Sequence, residues 1–193
     1  MSVKKLRLAL AFSGVLLLPG LAAAQSMSAQ SMSADPMVGG AAMYPSRNIV
    51  QNALNSKDHT TLVAAVKAAG LVPTLEGKGP FTVFAPTNEA FAALPAGTVP
   101  TLLKPENKAE LVKILTYHVV PGRYTAADIE NMIQQGGGTA QLKTVEGEPL
   151  TFSNAPAGGL LVKDAKGDEA KITISDVMQS NGVIQVIDKV LMP

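Results

Sequence analysis

The chain contains no cysteine and no tryptophan among its 193 residues. Without cysteine there is no disulfide, no thiolate nucleophile and no Cys-type zinc or iron site, so stability has to come from packing alone. Aromatic residues make up only 4%, which argues against a stacking platform for sugars and against an aromatic-rich interface. A partner surface is therefore expected to be aliphatic and polar. Charge is scarce too: 16% charged residues and a formal net charge of +1 leave no electrostatic footprint for nucleic acid. The two histidines are accompanied by no Gly-x-Ser-x-Gly, His-Glu-x-x-His or phosphate-binding glycine loop, so no nucleophile has an evident base. Asp164, Asp168 and Glu169 bracket a lysine-containing turn but lack the alternating oxygen ligands of a calcium loop. The expectation is a protein with no catalytic residues, no metal and no cofactor. What is present is 47% hydrophobic residues, a globular composition with enough length for one well-buried core.

Residues 1–24 read as a secretory signal peptide. Lys4, Lys5 and Arg7 supply the positive start, 8–18 the apolar run, and Ala22-Ala23-Ala24 the small-residue cleavage site. Pro19-Gly20 interrupts that run before it reaches the roughly 20 residues a bilayer needs. Cleavage after Ala24, a secreted or periplasmic location and no transmembrane anchor are expected. Residues 25–43 form a leader of Ser, Met, Gln, Ala and Gly in which Gln25-Ser26-Met27-Ser28-Ala29 recurs as Gln30-Ser31-Met32-Ser33-Ala34. Met27, Met32, Met37 and Met43 offer soft thioethers of the kind that hold Cu(I). Their spacing fixes no geometry and no histidine accompanies them, so the leader reads as a flexible tether.

From Tyr44 onward the pattern is that of a folded domain. Ser46 is placed to cap a helix carrying Ile49, Val50, Ala53 and Leu54, and Ser56 or Asp58 to cap a second. In the second, Leu62, Ala65, Val66 and Ala69 fall at i, i+3, i+4 and i+7, with Gly70 as a left-handed stop. His59 lies in its first turn and is expected to be exposed. Phe81, Val83 and Ala85 alternate with Thr82 and Phe84 as a short buried strand that Pro86 ends. Thr87 then caps a helix with Glu89 in its first turn. Short helices are expected over 99–103 and from Pro105. Leu111, Ile114, Leu115 and His118 make another helical stripe, which aims His118 inward before Pro121-Gly122 closes the helical region. Thr125 caps a further helix through Ile129, Met132 and Ile133, broken by Gly136-Gly137-Gly138. The rest reads as strands: 139–145 with 149–152, 160–163 with 170–174, and a last one over 183–191 that is apolar on both faces near its start. Helices first and strands last make an α+β domain.

Three strings carry a family resemblance. Gly79 to Phe91, G-P-F-T-V-F-A-P-T-N-E-A-F, resembles the first signature of the fasciclin (FAS1) domain. Leu115-Thr116-Tyr117-His118-Val119-Val120-Pro121-Gly122 resembles its Tyr-His motif, and 180–188, S-N-G-V-I-Q-V-I-D, its second signature. The resemblance covers 44–193 as one domain. It implies a fasciclin-like fold, a wedge-shaped pair of β-sheets with several helices packed against them. It also implies an interaction role for Tyr117 and His118, since animal adhesion members are thought to use this motif in receptor contact. Asp176 and Val177 resemble the Asp-Ile element used by those members for integrin contact, with valine replacing isoleucine. Many relatives have histidine where this chain has Gln185, which removes the one histidine the pattern could have paired with His118 on a metal. Read from the residues alone, His118 is an imidazole bonded to backbone at a helix end, Asp176 satisfies a turn and Val177 packs in the core.

Two functions follow as expectations. The first is a non-enzymatic interaction module that mediates adhesion to a protein, cell-surface or matrix partner. The alternative is a soluble carrier of an apolar small molecule such as a carotenoid, which some fasciclin-domain proteins bind and which a methionine-containing aliphatic chain could wrap.

Overall fold

A computed structural model describes residues 35–193. The expected signal peptide, its cleavage site, Met27 and Met32 lie outside the described residues. The first elements are a short hairpin, β1 (Met37–Val38) and β2 (Ala41–Ala42), and helix α1 (Ile49–Ala53). Val38 and Met43 are buried. The end of the expected leader, from 37 to 43, is therefore part of the fold, because two apolar side chains five positions apart, on either side of a Gly39-Gly40 turn, find core to enter. Met37 stays exposed.

Helix α1 is capped by Asn48, not Ser46, through a capping box in which Asn48 and Gln51 satisfy each other's backbone. Leu54 falls outside the helix and is exposed. Neither Ser56 nor Asp58 caps α2 (Thr60–Ala69). A 3-10 turn at Lys57–His59 precedes it, and the Ser56 hydroxyl is engaged by the His59 ring at 2.8 Å instead. The expected stripe of α2 is buried as read, and Gly70 ends the helix at φ 75°, where a β-carbon would be strained.

After α3 (Val72–Leu75) comes the central strand β3 (Phe81–Pro86), followed by α4 (Asn88–Ala92), whose N-terminus Thr87 caps by accepting from the Ala90 N–H. Next are α5 (Thr98–Leu102) and α6 (Lys108–Tyr117). The helical region does not close at Pro121-Gly122: Val119–Pro121 form strand β4, antiparallel to β3. Three residues are too few for a visible alternation, and proline is tolerated because β4 is an edge strand.

Helix α7 (Ala126–Gln135) begins at a capping box made by Thr125 and Asp128 and buries Ile129 and Ile133. Thr125→Ala is expected to cost about 1 kcal/mol, read as a fall in melting temperature by circular dichroism. An unchanged melting temperature would show that packing alone holds the helix start. The chain then forms β5 (Thr139–Lys143), β6 (Pro149–Asn154), β7 (Leu160–Lys163), β8 (Glu169–Gln179) and β9 (Gly182–Ile187).

These strands make one seven-stranded sheet, ordered β4-β3-β9-β8-β7-β6-β5. Only the β3–β9 pair is parallel. Strand β8 joins the two halves of the wedge: residues 169–171 pair with β7 and 172–179 with β9, with register shifts between Ile172 and Val177. Bulges bend a strand and sharpen its twist, so one eleven-residue strand serves both sheets where the sequence pattern suggested a stop at Ile174. The far ends approach each other as well, since the Val145 N–H donates to the Val119 carbonyl at 2.8 Å.

Strands β3 and β9 stand between two cores. Val83, Ala85, Ile184 and Val186 face one with α1, α2, α3 and α6; Phe84 and Ile187 face the other with α7 and β5 to β7. All six residues of β9 are buried. The strand ends at Ile187, earlier than expected, and 188–193 continues without regular structure.

Candidate functional site

Tyr117 and His118 reach the interior because α6 carries Leu111, Ile114 and Leu115 on its buried face and ends one residue before His118. Neither side chain meets solvent: Tyr117 is 0% and His118 2% exposed. The Tyr117 hydroxyl accepts from the Ala165 N–H at 2.9 Å and donates to the Pro149 carbonyl at 3.4 Å, which joins the helix end to two β-turn regions. Burial raises its pKa, while the Ala165 N–H works in the opposite direction.

His118 is bonded through both ring nitrogens. Nδ1 lies 2.8 Å from the Ile114 carbonyl, and Nε2 accepts from the Leu191 N–H at 3.0 Å. Because a carbonyl only accepts, Nδ1 carries the hydrogen and the ring is neutral. Burial drives its pKa down to about 4, against smaller upward pulls from the Ile114 carbonyl and the Asp164 carboxylate.

Asp176 and Val177 sit on the bulged part of β8. Asp176 is the one non-glycine residue with positive φ among the described residues, at 59°, a conformation that aspartate tolerates better than most. Its N–H donates to Gln185 Oε1 at 3.1 Å, while its carboxylate accepts from Gln185 Nε2 at 3.1 Å and from the Ala126 N–H at 2.7 Å. Gln185 Nε2 also donates to the Tyr124 carbonyl. Asp176 thus ties the bulge to β9 and to the first residue of α7. Val177 is fully buried.

The two motif pairs are not brought into one site. Val177, Ile184, Val83 and Val119 lie in one row across β8, β9, β3 and β4, three strand spacings or about 14 Å. No hydrogen bond links one pair to the other among the described residues.

Other polar residues do comparable work that sequence reasoning missed. Asn181, read as a turn residue, is 8% exposed; its side chain accepts from the Ile49 N–H and donates to the carbonyls of Leu75 and Gly77. Asn52 bonds both ways to the Tyr44 backbone and donates to Gln179. His59, expected at the surface, is 3% exposed. A usable signal existed: His59 stands three residues before Leu62 and extends the buried stripe of α2 by one turn. Its Nε2 has no hydrogen-bond partner among the described residues, and burial lowers its pKa against a smaller upward pull from the Ala85 backbone.

Two apolar voids flank β3 beneath α1 and α2. One of about 40 Å³ is lined by Val50, Val66, Leu115 and His118 among others, and one of about 30 Å³ by Val38, Met43 and His59 among others. Each is about the share of one or two water molecules. Among the described residues no three His, Asp or Glu side chains converge as metal ligands, and no helix is long and apolar enough to cross a membrane.

Residues 57–193 match the Fasciclin domain model. Protein sll1483 of Synechocystis sp. is 52% identical over 159 residues, which cover 81% of this chain and 79% of that protein. Transforming growth factor-beta-induced protein ig-h3 of Sus scrofa is 41% identical over 132 residues, 68% of this chain but only 17% of that protein. Among solved structures, a FAS1 domain pair from the insect cell adhesion molecule Fasciclin I superposes with a TM-score of 0.68 at 19% identity, covering 76% of this chain and 51% of that one. That likeness concerns the fold. With the motif strings, the matched model and these relatives taken together, the chain belongs to the fasciclin domain family.

Proposed function

We propose that this chain is an exported, non-enzymatic interaction module whose surface mediates adhesion to a cell-surface or matrix partner. The observation that carries this reading is that the polar side chains singled out as candidate site residues, with Asn181 and Gln185 of the second signature, are engaged within the fold. Tyr117, His118, Asp176, Asn181 and Gln185 all bind backbone or one another. A group so engaged is poorly placed to act as nucleophile or base on a substrate. That the insect neighbour is a cell adhesion molecule supports the same role here.

In this reading Tyr117, His118, Asp176 and Val177 serve contact indirectly, by shaping the backbone of β4, the β8 bulge and the start of α7. A carrier of an apolar molecule, the alternative, would need a concave, mostly apolar site. The two voids beneath α1 and α2 are far too small, and the cleft of about 300 Å³ between Phe91 and Val99 is open and part polar.

Beads coated with residues 35–193 are expected to retain cells of the source organism above albumin-coated beads, and a strain lacking the protein to attach less. Retention equal to albumin together with normal attachment of the deletion strain would overturn the reading. Visible absorption of protein purified from its host would move the carrier to first place.

A further inference from the structure

Beyond Ile187 the chain turns back across the end of α6. Val190 enters the first core and Leu191 the second. Two consecutive amides hold this segment: the Leu191 N–H donates to His118 Nε2 and the Met192 N–H to Asp164 Oδ2, each at 3.0 Å. Adjacent amide nitrogens are less than about 4 Å apart, so the two acceptors lie within about 10 Å of each other. Asp164 is itself 6% exposed, and its other oxygen accepts from the Asp168 N–H.

The latch depends on a lone pair. Nδ1 of His118 is committed to the Ile114 carbonyl as a donor, which leaves Nε2 as the acceptor for Leu191. A proton added at Nε2 does more than weaken that bond, because it sets donor against donor. The resulting cation has a carboxylate within about 10 Å, and that carboxylate is the acceptor for the next amide of the same segment.

We propose that His118 and Asp164 form an acid-sensitive latch on residues 190–193. In the closed state they hold the amides of Leu191 and Met192; when solvent protonates His118, imidazolium and carboxylate take each other as partners and both amides lose their acceptors together. The released segment uncovers the places of Val190 and Leu191 at the ends of the two cores.

The charged and titratable groups around the ring fit this arrangement. Asp164 faces it from the β7–β8 turn, and Tyr117 is its neighbour on α6. Lys67 of α2 shares the wall of the 40 Å³ void. Glu146 and Glu148, from the β5–β6 turn, act on the Tyr117 side, and Glu146 is paired with Lys113 of α6 at 3.7 Å. Burial places the titration of His118 near pH 4, and Asp164 pulls it upward. The latch is closed above that pH and opens as pH falls through it.

Amide hydrogen exchange of the folded domain tests this, compared at neutral pH and at the pH at which His118 titrates, after correction for intrinsic rates. Protection at Leu191 and Met192 is expected to fall by at least about tenfold relative to Val83 and Ile184, the change equivalent to one pKa unit. In His118→Gln, whose amide oxygen can accept from Leu191 without titrating, this extra loss should vanish while protection at neutral pH persists. Should that variant not fold, Asp164→Asn takes its place: it removes the alternative partner and should reduce the acid-induced loss at Leu191. Loss of protection at Leu191 and Met192 only in step with Val83 and Ile184 would overturn the proposal, as would an acid response that either variant leaves unchanged.

Discussion

Gly182→Ala is expected to destabilise the domain by about 3 kcal/mol or more, at or beyond the top of the range for overpacking. Gly182 begins β9 and pairs with Phe81 at the start of β3. A β-carbon there would meet the Phe81 carbonyl oxygen, with the carbonyl carbon at 2.9 Å and the nitrogen at 3.0 Å. These are backbone atoms, so no rotamer change relieves the clash. Relief would require moving apart the two strands that separate the cores, and with them Val83, Phe84, Ile184 and Ile187. The requirement is for space rather than for unusual backbone, since Gly182 does not have positive φ.

Gly137→Asn provides the comparison. Gly137 has φ 72° and nothing within 4 Å of an added β-carbon, and asparagine tolerates the left-handed region, so a cost of under about 1 kcal/mol is expected. Both are measurable by urea unfolding followed by circular dichroism, the appropriate probe for a chain without tryptophan. A cost below 1 kcal/mol for Gly182→Ala would mean that the β3–β9 pair can loosen locally.

Acidification is the second large effect. Between pH 6.5 and about 4 the domain is expected to lose about 3 kcal/mol of stability through His118 alone, since its pKa falls from 6.5 unfolded to about 4 folded and each unit is worth about 1.4 kcal/mol. In this window the unfolded chain binds the proton and the folded one resists it, so stability rises with pH. The contribution is complete above pH 6.5 and is lost as pH falls toward 4. His59 acts in the same direction, because burial lowers its pKa as well. Urea unfolding at several pH values across the window should show this slope, and His118→Gln should flatten it. Equal stability at both ends of the window would show that water reaches the ring before the fold yields.

The Thr125 cap, the α2 stripe ending at Gly70 and the inward aim of His118 were legible because each rests on residues a few positions apart. Local spacing fixes which face of a helix is apolar, and the apolar face goes inside. The same logic applied to His59 would have placed it inside, three residues before Leu62; treating it as a lone polar residue did not. Strand β4 and the second half of β8 were not legible. Val119–Pro121 is too short to show a period, and β8 changes register at its bulges, which disturbs the alternation that marks a strand.

The sequence by itself determined the order of the longer helices and strands, the burial of β9 and, through three strings, the fasciclin family. Only the tertiary structure decided what the polar residues are for. Asn181 holds the start of α1 from 132 residues away, Gln185 and Asp176 join β9 to α7, and His118 holds Leu191 across 73 residues. A hydrogen-bond partner at such separation leaves no periodic trace, because its position depends on how the chain returns rather than on what lies beside it. For the same reason Tyr117, His118, Asp176 and Val177 stood out as motif residues in one dimension, while three dimensions set them in two places about three strand spacings apart.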